Sequence, residues 1–355
     1  MPFYVIWDTF MPTDERKQLL MQWLKGVLKT DEFSCELASS DASFRRYFRV
    51  LVSDKSYIVM DAPPSKEDCT SFIAISDLLL ANKVNAPTIY HQSLTQGFLL
   101  LSDFGSMNFL EALNDQTAGR LYHDAVQVIH EMHQIPVQEK GLAQYDIALL
   151  QQEMDLFSAW FLDELLAIKL SVKEAGTLAA IQQKLADSAI QQPQVFVHRD
   201  YHSRNLMLTS ANNPGVIDFQ DAVIGPISYD LVSLYRDCYI AWPEQQVYAW
   251  LDEFLVQRQQ RGCADTFSTS QFYQWFDWMG VQRHMKAIGI FSRLLLRDRK
   301  PGYLQDIPRT LNYVNKVCKR YDELQPLAQL IDEHQLMEKC LACIQAEKAV
   351  WKLCC

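Results

Sequence analysis

Two short stretches of the sequence combine residues whose chemistry suits phosphoryl transfer. VFVHRDYHSRNLML places His198, Asp200 and Asn205 between two apolar runs, and GVIDFQDA follows with Asp218. Transfer of a phosphoryl group needs an acceptor hydroxyl held in line, a carboxylate that can take its proton, and cations over the phosphates. Asp200 suits the carboxylate role, and the oxygens of Asn205 and Asp218 suit Mg²⁺. Turn capping would explain each polar residue alone, but not their combined spacing.

Apolar strands are needed on both sides of this loop to bring the three residues together. QVFV and GVID predict such strands, and no other strand is predicted beyond about residue 105. Before that point, FRRYFRVLV with SYIVMDA and TIYHQ with GFLLLSDFG predict two strand pairs, with turns at 53–54 and 96–97. A helix that opens between residues 65 and 68 and runs towards Asn82 separates the two pairs.

Helical periodicity dominates the rest of the chain. TDERKQLLMQWLKGVL, GRLYHDAVQVIHEMHQI and YDIALLQQEMDLFSAWFLDELL predict amphipathic helices, and helices continue from about Tyr229 to the end. The apolar face of the first helix consists of Leu19, Leu20, Trp23, Leu24, Val27 and Leu28. The predicted fold class is α+β and bilobal: a small β-rich lobe over residues 1–104, a hinge at 102–105, and a larger, mainly helical lobe over 105–355. Ligands commonly bind in the cleft between two such lobes.

Composition excludes several classes of partner. The formal charge of −10 over 355 residues argues against a general surface for nucleic acid or anionic membrane, and leaves a local basic pocket open. No run approaches 18 apolar residues, and the N-terminal segment lacks the features of a signal peptide. The 9 scattered cysteines fit a reducing cytoplasm. Cys340 and Cys343 have the spacing of a zinc pair, but their surroundings have helical periodicity, which favours ordinary thiols.

The stretch from 195 to 221 resembles the catalytic core of the aminoglycoside phosphotransferase family, which shares the protein-kinase-like fold. SDASFRRYFRV, YIVMDAPPSKED, GFLLLSDFG, MDLFSAWFL and the segment from WMGVQRHMK to TLNYV resemble one branch of it, bacterial anomeric kinases of N-acetylmuramate and N-acetylglucosamine in cell-wall recycling. The resemblance implies ATP as cosubstrate, Mg²⁺ as cofactor and the C1 hydroxyl of an amino sugar as acceptor. It makes Asp200 catalytic, Asn205 and Asp218 metal ligands, and His198 structural.

The nucleotide would then bind in the N-terminal lobe. SSDASFRRYF stands at the phosphate-loop position but contains no glycine, so backbone N–H groups of its small residues and two arginines would contact phosphate. The predicted ATP contacts are Ser40, Asp41, Ser43, Phe44, Arg45 and Arg46, with Ser102, Asp103 and Phe104 at the hinge. The third strand has Met60 and Asp61 where the family's lysine is expected. Either Arg46 or Arg49 replaces that lysine, or the ATP affinity and nucleotide preference differ, and Glu67 or Asp68 at the start of the helix lacks the usual lysine partner.

The acceptor would bind in the C-terminal lobe. The resemblance suggests Glu153, Asp221, Arg283 and His284 as substrate contacts, with Arg283 near the lactyl carboxylate of N-acetylmuramate; each also fits a core or surface position. An aminoglycoside or choline-type kinase is a second hypothesis within the same class. A catalytically silent nucleotide-binding pseudokinase is a hypothesis of another class, which the missing lysine favours and the intact Asp200, Asn205 and Asp218 disfavour. Oligomeric state does not follow from the sequence.

Overall fold

The computed structural model describes residues 14–40, 44–136, 142–264 and 266–354, with side chains omitted at 39–40 and 348–354. The chain divides into two compact units. One contains residues up to Ser76 together with Pro87–Phe104, and the other contains Asp77–Ala86 together with the chain from Gly105 onward. The strands are β1 Ser34–Ser40, β2 Arg46–Val52, β3 Lys55–Asp61, β4 Ile89–Ser93, β5 Phe98–Ser102, β6 Ala143–Gln144, β7 Gln194–Val197, β8 Leu206–Met207, β9 Gly215–Val216 and β10 Val223–Pro226.

Helices make up most of the second unit. Over both units, the helices of the described chain are α1 Glu15–Leu28, α2 Thr70–Ala81, α3 Phe109–Ala112, α4 Ala118–His133, α5 Ile147–Leu156, α6 Val172–Ile190, α7 Tyr229–Tyr235, α8 Glu244–Gln260, α9 Thr269–Leu296, α10 Ile307–Cys318, α11 Gln325–Glu333 and α12 Leu336–Cys354. A π-helix at Phe157–Leu165 continues α5, and a 3₁₀-helix at Pro301–Asp306 precedes α10. None of the described helices is long and apolar enough to cross a lipid bilayer.

The first unit is an antiparallel sheet with the order β1-β2-β3-β5-β4, covered by α1. Alternate residues of the strands face the helix, as the two-residue period of a strand requires. Phe48 and Val50 of β2 and Phe98 of β5 pack in one buried cluster with Leu20 of α1. The predicted strand pairs and both turns are confirmed. Leu19 was wrongly placed on the buried face of α1, because 44% of its surface is exposed.

The segment at 195–221 overlaps β7, contains β8 and β9, and is followed by β10, all short strands of the second unit. β10 pairs antiparallel with β7 and parallel with β6, and β8 pairs antiparallel with β9. The prediction of only two strands beyond residue 105 is therefore wrong, since β6, β8 and β10 were missed. β6 and β8 have two residues each, too few to show a strand period. β10, VIGP, contains a glycine and a proline that indicate a turn rather than a strand.

Helix α9 packs against many other elements of the second unit. Its 28 residues pack against α5, α6, α7, α10 and the π-helix. Gly289 allows the closest of these approaches: a Cβ atom there would lie 2.4 Å from the carbonyl carbon of Leu156. The helix carries several buried polar residues, among them Asp277, Arg283, His284 and Lys286. A buried helix with this many charged groups must supply them with partners or present them to a ligand.

The C-terminal cysteines lie on a helix, as their spacing favoured. Cys340 is fully buried in α12, and Cys343 is half-buried on the same helix. No group of three or more His, Cys, Asp or Glu side chains in the described part of the chain is arranged to hold a metal ion.

Candidate active site

The loop at residues 198–205, called the catalytic loop below, connects β7 to β8 and carries most of the predicted site. The backbone N–H of Ile217 donates to the carbonyl of Asn205 at 3.1 Å, which extends the pairing of β8 with β9. Asn205 and Asp218 therefore lie side by side, with 3.3 Å between Asn205 Nδ2 and Asp218 Oδ2. Asn205 Nδ2 also donates to the backbone carbonyl of Asp200 at 3.0 Å. The structure thus brings together Asp200, Asn205 and Asp218, as the spacing predicted.

His198 is buried and holds the catalytic loop through both ring nitrogens. Nδ1 accepts from the backbone N–H of Asp200 at 3.3 Å, and Nε2 lies 3.1 Å from the carbonyl of Ile217. Burial lowers the pKa of His198 to about 4, so the ring is neutral near pH 7. A neutral imidazole accepts at one nitrogen and donates at the other, which matches both contacts. These contacts support the structural role that the family resemblance implied.

Two aspartates outside the loop anchor its backbone. Asp230 of α7 accepts from the N–H of His198 at 2.7 Å and from that of Arg199 at 3.1 Å. Asp237, after α7, accepts from the backbone N–H and the hydroxyl of Ser203 at 2.9 and 2.5 Å. Arg199 has φ of +74°, a conformation that residues other than glycine rarely adopt, and the Asp230 contact stabilises it. Sequence analysis missed both anchors, although two acids seven residues apart in SYDLVSLYRDC were a usable signal.

Glu153 of α5 lies beneath the catalytic loop as the centre of an ion-pair cluster. Its Oε1 pairs with Arg199 and lies 3.0 Å from Lys286 Nζ, while its Oε2 accepts from the hydroxyl of Tyr145. Burial acts to raise the pKa of Glu153, but Lys286 and Arg199 hold it below its usual value. Protein donors occupy both carboxylate oxygens, which disfavours the predicted substrate contact. Glu153 instead positions Arg199, the residue before Asp200.

The carboxylate of Asp200 has no such partner. It is half-buried, and its side chain makes no hydrogen bond or ion pair with any residue in the described ranges. Burial acts to raise the pKa of Asp200, but neighbouring positive charges, led by Lys286, lower it to about 2. Asp200 is therefore ionised across the physiological pH range. Its oxygens are available to orient an acceptor hydroxyl.

The remaining predicted acceptor contacts have different environments. The side chain of Asp221 is exposed, and its backbone carbonyl accepts from Arg199 at 3.3 Å. His284 is buried, with Nε2 at 2.8 Å from the carbonyl of Arg236 and its ring stacked on Tyr313, which disfavours a substrate contact. Arg283 is buried near the catalytic loop. Lys286 was missed, although it follows Arg283 by one helical turn.

The predicted nucleotide contacts belong to the first unit and are held by ion pairs there. Arg45 donates to Glu67 at 2.9 Å, so Glu67 has an arginine partner in place of the missing lysine. The carboxylate of Asp103 accepts from Arg49 at 2.7 Å, and the Ser102 hydroxyl accepts from the N–H of Thr88 at 3.0 Å. Phe44 is 63% exposed. Phe104 is half-buried, and the positions of Asp41, Ser43 and the Ser40 side chain lie outside the described residues.

Two arginines pair with an aspartate at the end of the third strand, the strand on which the family's lysine is expected. Asp61 at the end of β3 is fully buried and pairs with both Arg16 and Arg46. Arg46 pairs in addition with Asp14. Of the two predicted replacements, Arg46 contacts the end of the third strand, where two carboxylates neutralise it, and Arg49 pairs with Asp103. The role of Arg46 as the lysine replacement stays a prediction.

Comparison with known proteins decides the family. Residues 34–266 match the phosphotransferase enzyme family APH. The chain belongs to this family. It is 44% identical over 333 residues to an N-acetylmuramate/N-acetylglucosamine kinase of Pseudomonas putida, covering 91% of this chain and 97% of that one. It is 40% identical over 324 residues to a protein of the same name from Neisseria meningitidis, covering 90% and 96%.

Solved structures of related kinases share the fold of this family member. A choline kinase from Streptococcus pneumoniae has a TM-score of 0.60 at 11% identity, with 85% of this chain and 99% of that one covered. The ADP-bound aminoglycoside phosphotransferase APH(2'')-Ib has a TM-score of 0.54 at 16% identity, with 85% and 97% covered. These identities are too low to transfer a substrate. They confirm the predicted α+β, protein-kinase-like fold.

Proposed function

We propose that this protein transfers a phosphoryl group from ATP to the anomeric hydroxyl of N-acetylmuramate or N-acetylglucosamine. The observation that carries the phosphotransfer is the 3.3 Å contact between Asn205 and Asp218 beside a catalytic loop that leaves Asp200 without a protein partner. The names of relatives that match nearly the full chain support the choice of acceptor. The product would be a sugar 1-phosphate, which suits recycling of cell-wall amino sugars.

Asp200 acts on the acceptor hydroxyl in this proposal. A carboxylate with a pKa of about 2 is a weak base, so its main contribution is to hold the hydroxyl by a charge-assisted hydrogen bond in line with the phosphoryl group. It receives the proton as the new oxygen–phosphorus bond forms. An anomeric hydroxyl is more acidic than an ordinary sugar alcohol and needs less help from the base. The ionised, weakly basic Asp200 therefore suits an anomeric acceptor.

Asn205 and Asp218 fit a magnesium ion. They are a carboxylate and a side-chain amide with hard oxygen donors at adjacent positions, and Mg²⁺ usually takes one or two protein ligands and completes its shell with water and phosphates. A bound Mg²⁺ would neutralise charge on the phosphates.

ATP as phosphoryl donor is supported by the kinase names of the relatives and by family membership. Arg45, in the loop before β2, and Arg46, the first residue of β2, are the cations that we propose contact the phosphates of ATP. Because Glu67 and Asp61 pair with these arginines in the ligand-free protein, nucleotide binding would require exchange of carboxylate for phosphate. The described cysteines are all free thiols, which supports a cytoplasmic location.

The alternatives have less support. Choline and aminoglycoside kinases share the fold at 11% to 16% identity, far below the 44% of the amino-sugar kinase. A silent nucleotide-binding module would not need an ionised Asp200 without a protein partner beside an adjacent Asn205 and Asp218.

The test is an acceptor screen with ATP and Mg²⁺, using N-acetylmuramate, N-acetylglucosamine, choline and aminoglycosides. We expect turnover of the two amino sugars, and NMR of the product should place the phosphate on C1. Turnover of only the cationic acceptors would contradict the proposal. Nucleotide binding without turnover of any acceptor would instead support the silent module.

A further inference from the structure

Gln220 is a polar residue beside the candidate metal site that has no part in the proposed function so far. Its Nε2 donates to Asp218 Oδ1 at 2.7 Å, a length typical of a charge-assisted hydrogen bond. Asn205 Nδ2 lies 3.3 Å from the other carboxylate oxygen, Oδ2, and it also donates to the carbonyl of Asp200. The shorter of these two amide contacts to the Asp218 carboxylate is therefore the one from Gln220.

The orientation of the Gln220 amide is set by this contact. In the opposite orientation its Oε1 would face the Asp218 carboxylate, and two acceptors would meet without a proton between them. The orientation in the structure leaves Oε1 buried, with no hydrogen-bond donor among the described residues. A buried acceptor without a donor destabilises a fold. The amide thus satisfies Asp218 and leaves its own oxygen unsatisfied, which packing alone does not explain.

The backbone between Asp218 and Gln220 is held in place on both sides of Phe219. The Phe219 side chain is fully buried, and the N–H of Ala222 donates to the Phe219 carbonyl at 3.0 Å, which closes a turn. Asp218 has φ of +65°, a conformation that residues other than glycine rarely adopt. Backbone strain of this kind is common where the direction of a side chain matters for function. The turn therefore keeps the Gln220 amide beside the Asp218 carboxylate.

We propose that Gln220 is a positioning residue of the metal site: its amide holds Oδ1 of Asp218 and so keeps Oδ2 on the side of Asn205, where the two residues can bind Mg²⁺ together. This inference rests on the proposed function. Without the hydrogen bond from Gln220, the carboxylate would turn more readily about its Cβ–Cγ bond and would spend less time in that orientation. Hydrogen-bond partners of metal-binding carboxylates orient the ligand, and their loss typically lowers metal affinity or activity about 10- to 100-fold.

Gln220→Met tests the role of the amide, because it keeps the length and bulk of the side chain and removes the donor. With saturating ADP and no acceptor, the affinity for Mn²⁺ measured by electron paramagnetic resonance should fall about 10- to 100-fold. In turnover, the Mg²⁺ concentration for half-maximal activity should rise by a similar factor, while kcat at saturating Mg²⁺ stays within about threefold of wild type. Gln245→Met, at an exposed position of α8, is the matched control and should leave all three quantities unchanged. Equal Mn²⁺ affinities of Gln220→Met and wild type would overturn the proposal.

Two further measurements separate positioning from direct metal binding and from packing. In Gln220→Glu the new carboxylate cannot donate when ionised and would repel Asp218, so Mn²⁺ binding should also weaken. Tighter Mn²⁺ binding in Gln220→Glu would make the side chain at this position a metal ligand and overturn the positioning role. Without metal and nucleotide, Gln220→Met should melt within about 2 °C of wild type, because the buried unsatisfied oxygen is removed together with the donor. A much lower melting temperature, with activity that saturating Mg²⁺ does not restore, would make Gln220 a packing residue and overturn the proposal.

The outcomes distinguish this inference from the proposed function. Wild-type protein that phosphorylates neither amino sugar would overturn the proposed function, whereas the Mn²⁺ titration with ADP would still test Gln220, since no acceptor takes part in it. Turnover of the amino sugars combined with undiminished Mn²⁺ affinity of Gln220→Met would overturn only the role of Gln220. Wild-type protein that binds no Mn²⁺ in the presence of ADP would overturn the metal site and this inference with it.

Discussion

Asp200 is ionised, and its carboxylate has no hydrogen bond or ion pair with any side chain that the structure describes; this combination defines its chemistry. A side chain that accepted hydrogen bonds from the protein would have to exchange them before it could bind an acceptor hydroxyl. The surrounding cations keep Asp200 charged without contacting it, so the carboxylate is preorganised for a hydroxyl and does not titrate near neutral pH.

Asp200→Asn keeps the shape of the side chain and removes its charge and basicity. We expect kcat to fall by about 10²- to 10⁴-fold, near the lower end if the acceptor is an acidic anomeric hydroxyl, with the affinity for ATP nearly unchanged. Steady-state kinetics and nucleotide titration measure the two effects. Asp155→Asn, at an exposed position of α5, is the control for the same change elsewhere. Equal losses in ATP binding and turnover would show that Asp200 is structural.

Asp218→Asn tests the metal site by the same exchange of carboxylate for amide. The metal would lose its charged protein ligand, so activity should be almost abolished. Asn205→Ala removes a neutral ligand, and high Mg²⁺ should partly restore its activity. The measurement is turnover as a function of Mg²⁺ concentration for both variants. Near-wild-type turnover of Asp218→Asn would contradict the metal assignment.

The spacing of residue types was enough to predict that Asp200, Asn205 and Asp218 lie close together, but not which other residues contact them. Asp200, Asn205 and Asp218 lie within 19 residues of the chain, and the strands between them follow from local apolar runs. The Arg199–Glu153 pair joins positions 46 residues apart on different elements. Nothing local marks such a pair, because it depends on how α5 packs against the loop. Local pattern therefore does not reveal the protein partners of Glu153 and His284, which disfavour their prediction as substrate contacts.

At the scale of elements, α7 and α9 both supply side chains that position the catalytic loop. α7 supplies the carboxylate that holds the backbone of His198 and Arg199, and α9 supplies Arg283 and Lys286. The sequence predicts helix over both segments but not the partners of these side chains. The π-helix after α5 was also missed, because its apolar residues continue the helical pattern of the preceding segment.

The anchor in α7 predicts a dependence of stability on pH. Burial raises the pKa of Asp230 to about 7, although two backbone N–H groups oppose the shift. Because its usual value is about 3.9, Asp230 binds its proton more tightly in the folded than in the unfolded chain, and this contribution to stability is lost as the pH rises from about 4 to about 7. Asp230→Asn cannot ionise. The melting temperature of wild type minus that of Asp230→Asn should decrease over this range, whereas a constant difference would contradict the assigned pKa.

Replacement of glycine by alanine should have opposite effects on stability at Gly289, where α9 contacts the end of α5, and at Gly176, where no atom is close. In Gly289→Ala the new Cβ would lie within 2.5 Å of backbone and side-chain atoms of Leu156, so the two helices must separate. We expect a loss of about 2–3 kcal/mol in the free energy of unfolding, as is typical of overpacking. At Gly176, an exposed position of α6, the new Cβ of Gly176→Ala meets no atom within 4 Å, and the substitution should stabilise by about 0.5–1 kcal/mol. Denaturant unfolding of both variants checks the signs, and equal effects would show that the contact is not tight.

For the molecule as a whole, the net acidic charge does not reveal the local charge of the site. The formal charge of −10 says nothing of the cations gathered around Asp200, which come from separate parts of the chain. The fold class followed from the sequence because strand patterns dominate up to about residue 105 and helical patterns dominate beyond it, although three short strands among the helices were missed. The assignment of Asp77–Ala86 to the second unit did not follow, since it depends on contacts such as that of Asn85 with Val216 and not on local pattern.

Linkage between ligand binding and unfolding provides a test that involves the whole chain. A ligand that binds only the folded protein stabilises it by about 2.7 kcal/mol at 100 times its dissociation constant. For 355 residues, typical unfolding entropies convert this into a rise of about 3–4 °C in melting temperature. We expect ATP with Mg²⁺ to give this rise in wild type, EDTA to abolish most of it, and Asp218→Asn to show it weakly even with Mg²⁺ present. Thermal unfolding followed by fluorescence measures all three. A full rise with ATP and EDTA would show that the nucleotide binds without the metal, and would remove Asn205 and Asp218 from the nucleotide-binding role proposed here.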